Sequence, residues 1–338
     1  MEFKIFALKG TEEFGKKISQ HLEISLSLLE ERSFEDGEHK IRPLESVRGQ
    51  EIFVIQSLYS DEFQTVNDKI CKFLFFLSTL KDASAKKVTA VIPYLAYARK
   101  DRKTKDRDPI TLKYLARLIE ASGADHVIAM DVHNTSAFQN AFRIPTEHLE
   151  ARVLFAGYLS EILRKENVVV VSPDAGGMKR AELFRTTLKE LYHREVGKAY
   201  IEKERDQGSV VGGEVIVGNV KDKVAIIIDD IISTGKTIHL SLEALDKAGV
   251  KEVYVCVTHG IFTENSKEFF SHPKLKQVFI TDTLVPWRIK EQFPKDKLVI
   301  IDSSTLFAKA LKRMQEGSSV TELLQRYPHA VQELSLIS

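Results

Sequence analysis

Val224–Ile238 reads VAIIIDDIISTGKTI, and the fold turns on how it is read. Val224 to Ile228 is an unbroken apolar run ending in three isoleucines, the composition of a strand buried on both faces. Asp229 and Asp230 follow at its C-terminal end, then a loop of small and polar residues, Ser233-Thr234-Gly235-Lys236-Thr237. Ile238, Leu242 and Leu245 recur at helical spacing until Gly249. The order is strand, acidic pair, loop, helix. Such a loop can aim consecutive backbone N–H groups at an anion, with the partial positive charge of the helix N-terminus behind them. The two acids do not bind phosphate themselves; they suit ribose hydroxyls, or a Mg2+ that bridges to the phosphate. The plainer reading is a strand-to-helix turn with a capping Ser or Thr. Against it, paired acids at a buried strand end are costly without partners.

Gly235-Lys236-Thr237 looks like the end of a P-loop, but that motif requires a glycine where this chain has Asp230. It is not a Walker A sequence.

With 338 residues the chain is long enough for about two domains. Hydrophobic content of 43% and charged content of 29% are ordinary for a soluble globular protein. A net charge of +1 weighs against a general nucleic-acid scaffold. Cys71 and Cys256 sit inside apolar runs without paired spacing, so they read as buried thiols of a reducing compartment. Met1–Leu8 is too short for a secretory apolar region and is interrupted by Lys4, and no apolar run approaches a membrane span. A cytoplasmic protein with neither membrane nor nucleic-acid partners is expected.

Strands and helices alternate along the chain. Lys4–Leu8 reads as a strand, Thr11–Leu22 as a helix and Glu51–Gln56 as a second strand. The helix carrying Val66, Ile70, Phe73, Leu74 and Leu77, with Cys71, Phe75, Phe76 and Leu80 on another face, is apolar nearly all round, so a buried helix is expected. Val88–Pro93 is a strand followed by the charged loop Tyr94–Asp108, YLAYARKDRKTKDRD. A charge run is usually a solvated face, but this one follows a strand end, where α/β sheets place ligands. Ile110–Ala121 is helical.

His126–Asp131 repeats the buried-strand pattern and ends in Asp131-Val132-His133-Asn134. Val168–Ser172 does so again, ending in Pro173-Asp174-Ala175-Gly176-Gly177, where the glycines permit close backbone approach to a ligand. Three such strand ends are expected to converge on one sheet edge. Lys203 and Arg205 are two apart, hence on one side of a strand: two cations awaiting an anion, or a solvated edge. Further strands are expected at Val253–Val257, before Thr258-His259-Gly260, at Gln277–Thr281 and at Lys297–Ile301, then a helix over Ala308–Met314. The class is α/β with mostly parallel sheets. The seam between domains is expected between Thr146 and Val168, where it separates two halves of similar rhythm.

Eight segments together resemble the ribose-phosphate pyrophosphokinase, or phosphoribosyl pyrophosphate (PRPP) synthase, family. They are FEDGE at Phe34–Glu38, SVRG at Ser46–Gly49, IPYLAYARKD at Ile92–Asp101, DVHN at Asp131–Asn134, SPDAGG at Ser172–Gly177, KER at Lys203–Arg205, DDIISTGKT at Asp229–Thr237 and THG at Thr258–Gly260. They follow the family's order and spacing.

The resemblance implies two tandem phosphoribosyltransferase-type (type I) domains, each a mostly parallel sheet flanked by helices. An ATP-side domain would span residues 1–155, a ribose 5-phosphate domain 156–324 and a tail 325–338. It implies transfer of the β,γ-diphosphoryl group of ATP to the C1 hydroxyl of ribose 5-phosphate, with Mg2+, giving PRPP and AMP. Asp229 and Asp230 would hold the ribose hydroxyls, and Ser233, Thr234, Gly235, Lys236 and Thr237 would cradle the 5-phosphate. Lys203 and Arg205 would neutralise charge on the transferred group, with His133 completing the catalytic set. His133 and Asp174 would serve Mg·ATP as metal ligands, Asp174 also reaching the ribose. Arg99, Lys100 and Asp101 would contact ATP, and Phe34, Asp36 and Glu38 the adenine bound by a neighbouring subunit, so a dimer-based homo-oligomer is implied. Ser233, Lys236 and Lys100 depart from the family's usual Asp, small residue and Gln. A catalytically silent homologue would be expected to lack the Lys–Arg pair, the acids or the His, and a PRPP-consuming phosphoribosyltransferase would need no adenine pocket.

Overall fold

The computed structural model describes residues 3–206, 209–289 and 296–325, the side chains of 203–206, 209–214, 264, 265, 267 and 325 excepted. The chain divides into two compact units, Met1–Glu150 with Ser304–Thr321, and Ala151–Ser303 with Glu322–Ser338.

The first unit runs β1 (Phe3–Ala7), α1 (Glu12–His21), β2 (Leu29–Ser33), β3 (His39–Pro43), β4 (Glu51–Ile55), α2 (Val66–Asp82), β5 (Lys87–Ile92), α3 (Thr111–Ala121), β6 (His126–Met130), α4 (Thr135–Ala141) and β7 (Thr146–Leu149). Its sheet has the order β1-β4-β5-β6-β7, every neighbouring pair parallel. A parallel sheet is covered on both faces, which is why its strands are runs of Val, Ile and Ala. Phe6, Val54 and Ile92 meet Phe73, Phe76 and Leu77 of α2 in one apolar cluster. A capping box between Thr65 and Asp68 starts α2. This helix is less buried than its sequence implies: Phe75 is 55% exposed and stacks on His39, 5.5 Å between ring centres. The antiparallel β2–β3 hairpin supplies that cover, and its turn is the Phe34–Glu38 segment.

The second unit runs α5 (Arg152–Leu163), β8 (Val168–Ser172), α6 (Met178–Tyr192), β9 (Gly197–Asp206), β10 (Ser209–Val217), β11 (Val224–Ile232), α7 (Lys236–Lys247), β12 (Glu252–Gly260), β13 (Leu275–Thr281) and β14 (Leu298–Ile301), with a 3-10 segment at Glu264–Ser271. The sheet order is β10-β9-β8-β11-β12-β13-β14, with only β10 antiparallel to its neighbour. The decisive stretch is therefore the central strand and the helix after it. The strand does not stop before the acids. It continues through Asp229 and Asp230 to Ile232, because β12 is longer than β8 and goes on pairing with it as far as Gly260.

After β14 the chain returns to the first unit as α8 (Ser304–Glu316), then forms α9 (Val320–Gln325). Phe307 of α8 packs edge-on against Phe14 of α1 at 5.4 Å, and Thr305 Oγ1 lies 3.1 Å from His21 Nε2. The three strand ends expected on one edge belong to two sheets: β6 to the first, β8 and β11 to the second. Beyond Gln325 the expected tail lies outside the described residues.

Candidate active site

In the second unit, β8 and β11 are parallel neighbours, with Val171 opposite Ile227. Their C-terminal ends place the Pro173–Gly177 turn beside the acidic pair. The turn is tied to itself: Ser172 Oγ donates to the Asp174 carbonyl (2.6 Å), and Gly177 N–H donates to Asp174 Oδ1 (2.9 Å). A β-carbon on Gly177 would sit 2.7 Å from Ser172 Oγ, so the turn requires glycine there.

Asp230 is 4% exposed, and both acids meet one cation. Arg180, from the first turn of α6, places Nη1 3.0 Å from Asp229 Oδ1 and 3.2 Å from Asp230 Oδ1. Burial and the neighbouring Asp230 charge push the Asp229 carboxyl well above the usual range, while the guanidinium pulls the other way. A site with this imbalance favours hydroxyl donors or a further cation.

Ser233–Thr237 bridges β11 to α7. Gly235 has φ 76°, the left-handed conformation that lets the chain turn into the helix. Lys236 and Thr237 already belong to the first turn of α7, and Thr234 and Lys236 are exposed. The loop is held from behind: Ile261 and Phe262 N–H donate to the Ile232 carbonyl (2.9 and 3.2 Å), and Thr263 N–H to the Ser233 carbonyl (2.8 Å). The first-turn amides of α7 lack an acceptor within the helix; Lys236 N–H donates to Thr234 Oγ1 (3.4 Å), and the loop ahead of them is fixed in place, as an anion site needs.

In the first unit, the charged loop leaves β5 and is ordered by Asp108, whose Oδ2 accepts from Thr104 Oγ1 (2.7 Å) and from the N–H groups of Thr104 and Lys105. Arg99 and Lys100 are exposed, and Asp101 is joined to the end of β6 through Asn134 Nδ2 (2.8 Å). His133, beside Asn134, is exposed. The structure therefore brings Asp101 to the His133–Asn134 segment. Phe34, Asp36 and Glu38 project from the hairpin tip, where Asp36 Oδ1 accepts the Glu38 N–H (3.0 Å).

Lys203 and Arg205 lie on β9, opposite Glu214 and Val210 of β10; their side chains fall outside the described residues. Among the described residues no group of three or more His, Cys, Asp and Glu side chains could hold a metal ion, and His133 and Asp174 belong to different units. Arg180 escaped the sequence reading. Its signal was a Lys179-Arg180 pair in the first turn of a helix, where the macrodipole disfavours cations.

Residues 3–123 match the family described as the N-terminal domain of ribose phosphate pyrophosphokinase, and residues 213–325 the phosphoribosyl synthetase-associated domain. A ribose-phosphate pyrophosphokinase of Fusobacterium nucleatum is 38% identical over 95% of this chain and 97% of its own length. The chain belongs to the ribose-phosphate pyrophosphokinase family. The enzyme of that name from Caldanaerobacter subterraneus is 39% identical over 95% of this chain and 97% of its own. The crystal structure of phosphoribosylpyrophosphate synthetase from Mycobacterium smegmatis matches with a TM-score of 0.85 at 31% identity, covering 94% of this chain and all of that one. Membership makes this chain a transferase of the ribose-phosphate pyrophosphokinase class and supports its α/β architecture of phosphoribosyltransferase type. No helix among the described residues is long and apolar enough to cross a membrane.

Proposed function

We propose that this chain transfers the β,γ-diphosphoryl group of ATP to the C1 hydroxyl of ribose 5-phosphate, releasing AMP and PRPP. The observation that carries the reading is the continuity of the acidic pair of β11 with the Gly235 loop and the N-terminus of α7. Within one unit it offers acceptors for a diol and amide donors for a phosphate, the two ends of ribose 5-phosphate.

Asp229 and Asp230 orient the ribose through its hydroxyls, and Ser233–Thr237 hold the 5-phosphate. Lys203 and Arg205 stabilise negative charge on the migrating group. Arg99, Lys100, Asp101 and His133 bind ATP, and the exposed hairpin tip with Phe34, Asp36 and Glu38 serves a neighbouring subunit of a dimer-based homo-oligomer. Diphosphoryl transfer asks the protein mainly for in-line placement and charge stabilisation.

Mg2+ suits this donor set. It is a hard cation that binds one or two carboxylates together with substrate phosphates, and the acids available here, Asp174 and the Asp229–Asp230 pair, are oxygen donors. When bound with ATP it would neutralise phosphate charge, with Asp174 as a protein contact in the second unit.

The test is product analysis with ATP, Mg2+ and ribose 5-phosphate. AMP and PRPP in equal amounts, lost in Lys203→Ala, are expected. ATP binding without AMP formation would replace this reading with a catalytically silent homologue.

A further inference from the structure

Neighbouring residues on a strand point to opposite faces, so Asp229 and Asp230 should diverge. They do not: their Oδ1 atoms come to a single nitrogen, Arg180 Nη1, at 3.0 and 3.2 Å. Asp229 Oδ1 also accepts the Asp230 N–H at 2.9 Å, curling the first carboxylate back toward the second. The β12 register pairs Asp229 with Val257 and Ile231 with His259, and passes over Asp230. The β11–β12 register itself is unbroken through this point, so the convergence is made by the side chains.

Arg180 is poorly placed for its own helix. It stands in the first turn of α6, where a cation opposes the macrodipole, and no acidic residue of that turn offsets it. Its side chain is 20% exposed, against 17% and 6% for the two acids. The arrangement serves the carboxylates rather than the helix.

We propose that Arg180 is a positioning residue for ribose 5-phosphate, holding the Asp229 and Asp230 carboxylates converged as the acceptor of the ribose diol. A carboxylate offers about four acceptor sites, more than Arg180 and the Asp230 N–H take up at Asp229, which leaves it capacity for hydroxyls. Convergence matters because vicinal hydroxyls present two donors close together. Without Arg180, mutual repulsion and the pleat would part the acids, and the ribose would have to gather them itself on binding.

This inference rests on the function proposed above, and its test separates the two. Arg180→Gln and Arg180→Lys are compared with wild type for kcat, for KM toward each substrate, and for ribose 5-phosphate Kd by calorimetry without nucleotide. R180Q is expected to raise the ribose 5-phosphate KM and Kd about tenfold or more, with the ATP KM within about twofold. Because lysine keeps a cation beside both carboxylates, R180K is expected to lose only about two- to fivefold. Wild-type ribose 5-phosphate affinity in R180Q, or equal losses toward both substrates, overturns the inference. If R180Q is unfolded by circular dichroism, the selective loss in R180K supports the inference and its absence overturns it. A wild-type chain that makes no PRPP but binds ribose 5-phosphate in an Arg180-dependent way defeats the proposed function alone. PRPP synthesis with an unaltered R180Q defeats this inference alone.

Discussion

Gly235 stands directly against Phe269: a β-carbon on the glycine would lie 2.6 Å from ring Cδ1 and 2.9 Å from Cε1. Phe269 is 1% exposed and belongs to the apolar cluster of the second unit, so the ring has no room to retreat. At φ 76° any L side chain also strains the backbone. Gly235→Ala is therefore expected to cost about 1–3 kcal/mol in urea unfolding and to raise the ribose 5-phosphate KM. In a double-mutant cycle with Phe269→Leu the costs should fall short of additive, because the shorter side chain removes the clash but not the backbone strain. Additive costs would show that the ring does not shape the loop.

Asp229→Asn should stabilise the ligand-free protein while abolishing synthesis. Burial and the Asp230 charge raise the Asp229 carboxyl well above its ordinary 3.8. The folded state then holds a proton more tightly than the unfolded one. That contribution is fully present below the unfolded value and is lost as pH rises from about 3.8 through the folded value. At neutral pH the asparagine avoids this loss and leaves Arg180 paired with Asp230. A gain of about 1 kcal/mol is expected at pH 7, in the usual range for relieving a strained functional site. Denaturant titrations of both proteins from acid to neutral pH check it, and a less stable asparagine variant at pH 7 refutes it.

The frame of the second unit was legible because its signals are local. Val168–Ser172 and Val224–Ile228 are apolar runs that only a doubly covered sheet accommodates, and the polar residues after them mark the ligand edge. The first strands, the helices and the glycine turn follow from the same periodicities. What stayed hidden depends on distant pairing. β10 carries an unpatterned Gly-Gly stretch and is a strand only because β9 lies beside it. The return of α8 to α1 rests on Phe307 meeting Phe14, for which the sequence has no marker. The same limit placed β6 with β8 and β11 on one edge: each strand end reads alike, and sheet membership is a tertiary property. In the site, the acids and the loop were visible as a motif, whereas Arg180 and Phe269 act through contacts between elements.

Asn134 links two halves of the proposed ATP side. Its Nδ2 donates to Asp101 Oδ2 at 2.8 Å, and its Oδ1 accepts the Ala137 N–H at 3.1 Å as the cap of α4. Asn134→Ala should cost about 1 kcal/mol for the cap and raise the ATP KM about three- to tenfold, leaving ribose 5-phosphate unaffected. Asn134→Asp separates the two roles. It keeps an N-cap acceptor but sets a carboxylate against Asp101, so stability should hold while the ATP KM rises at least as far. An aspartate variant with wild-type ATP kinetics would rule out the Asp101 link as an ATP-site support.

Lys69 is fully buried, with Nζ 2.6 Å from Asp61 Oδ2 and 3.9 Å from the Tyr59 ring centre. Burial lowers its pKa, with Asp61 opposing that shift. The two partners are not equivalent. Asp61 also accepts the N–H groups of Phe63 (2.9 Å) and Gln64 (2.8 Å), so it keeps partners when the lysine is removed. Asp61→Asn instead strips a buried ammonium of its counter-charge, a loss of about 3–5 kcal/mol. Lys69→Met keeps the volume and should cost less, about 1–2 kcal/mol. The pH dependence separates them further. With the folded pKa of Lys69 depressed below 10.5, stability rises as pH climbs through the window between the two values. Loss of Asp61 widens that window, so the D61N deficit should shrink at alkaline pH, while K69M, with nothing to titrate, shows no such recovery. Urea midpoints at pH 7 and about pH 9.5 decide the matter, and a K69M variant less stable than D61N at pH 7 would mean that the charge on Lys69, not its pairing, holds this loop.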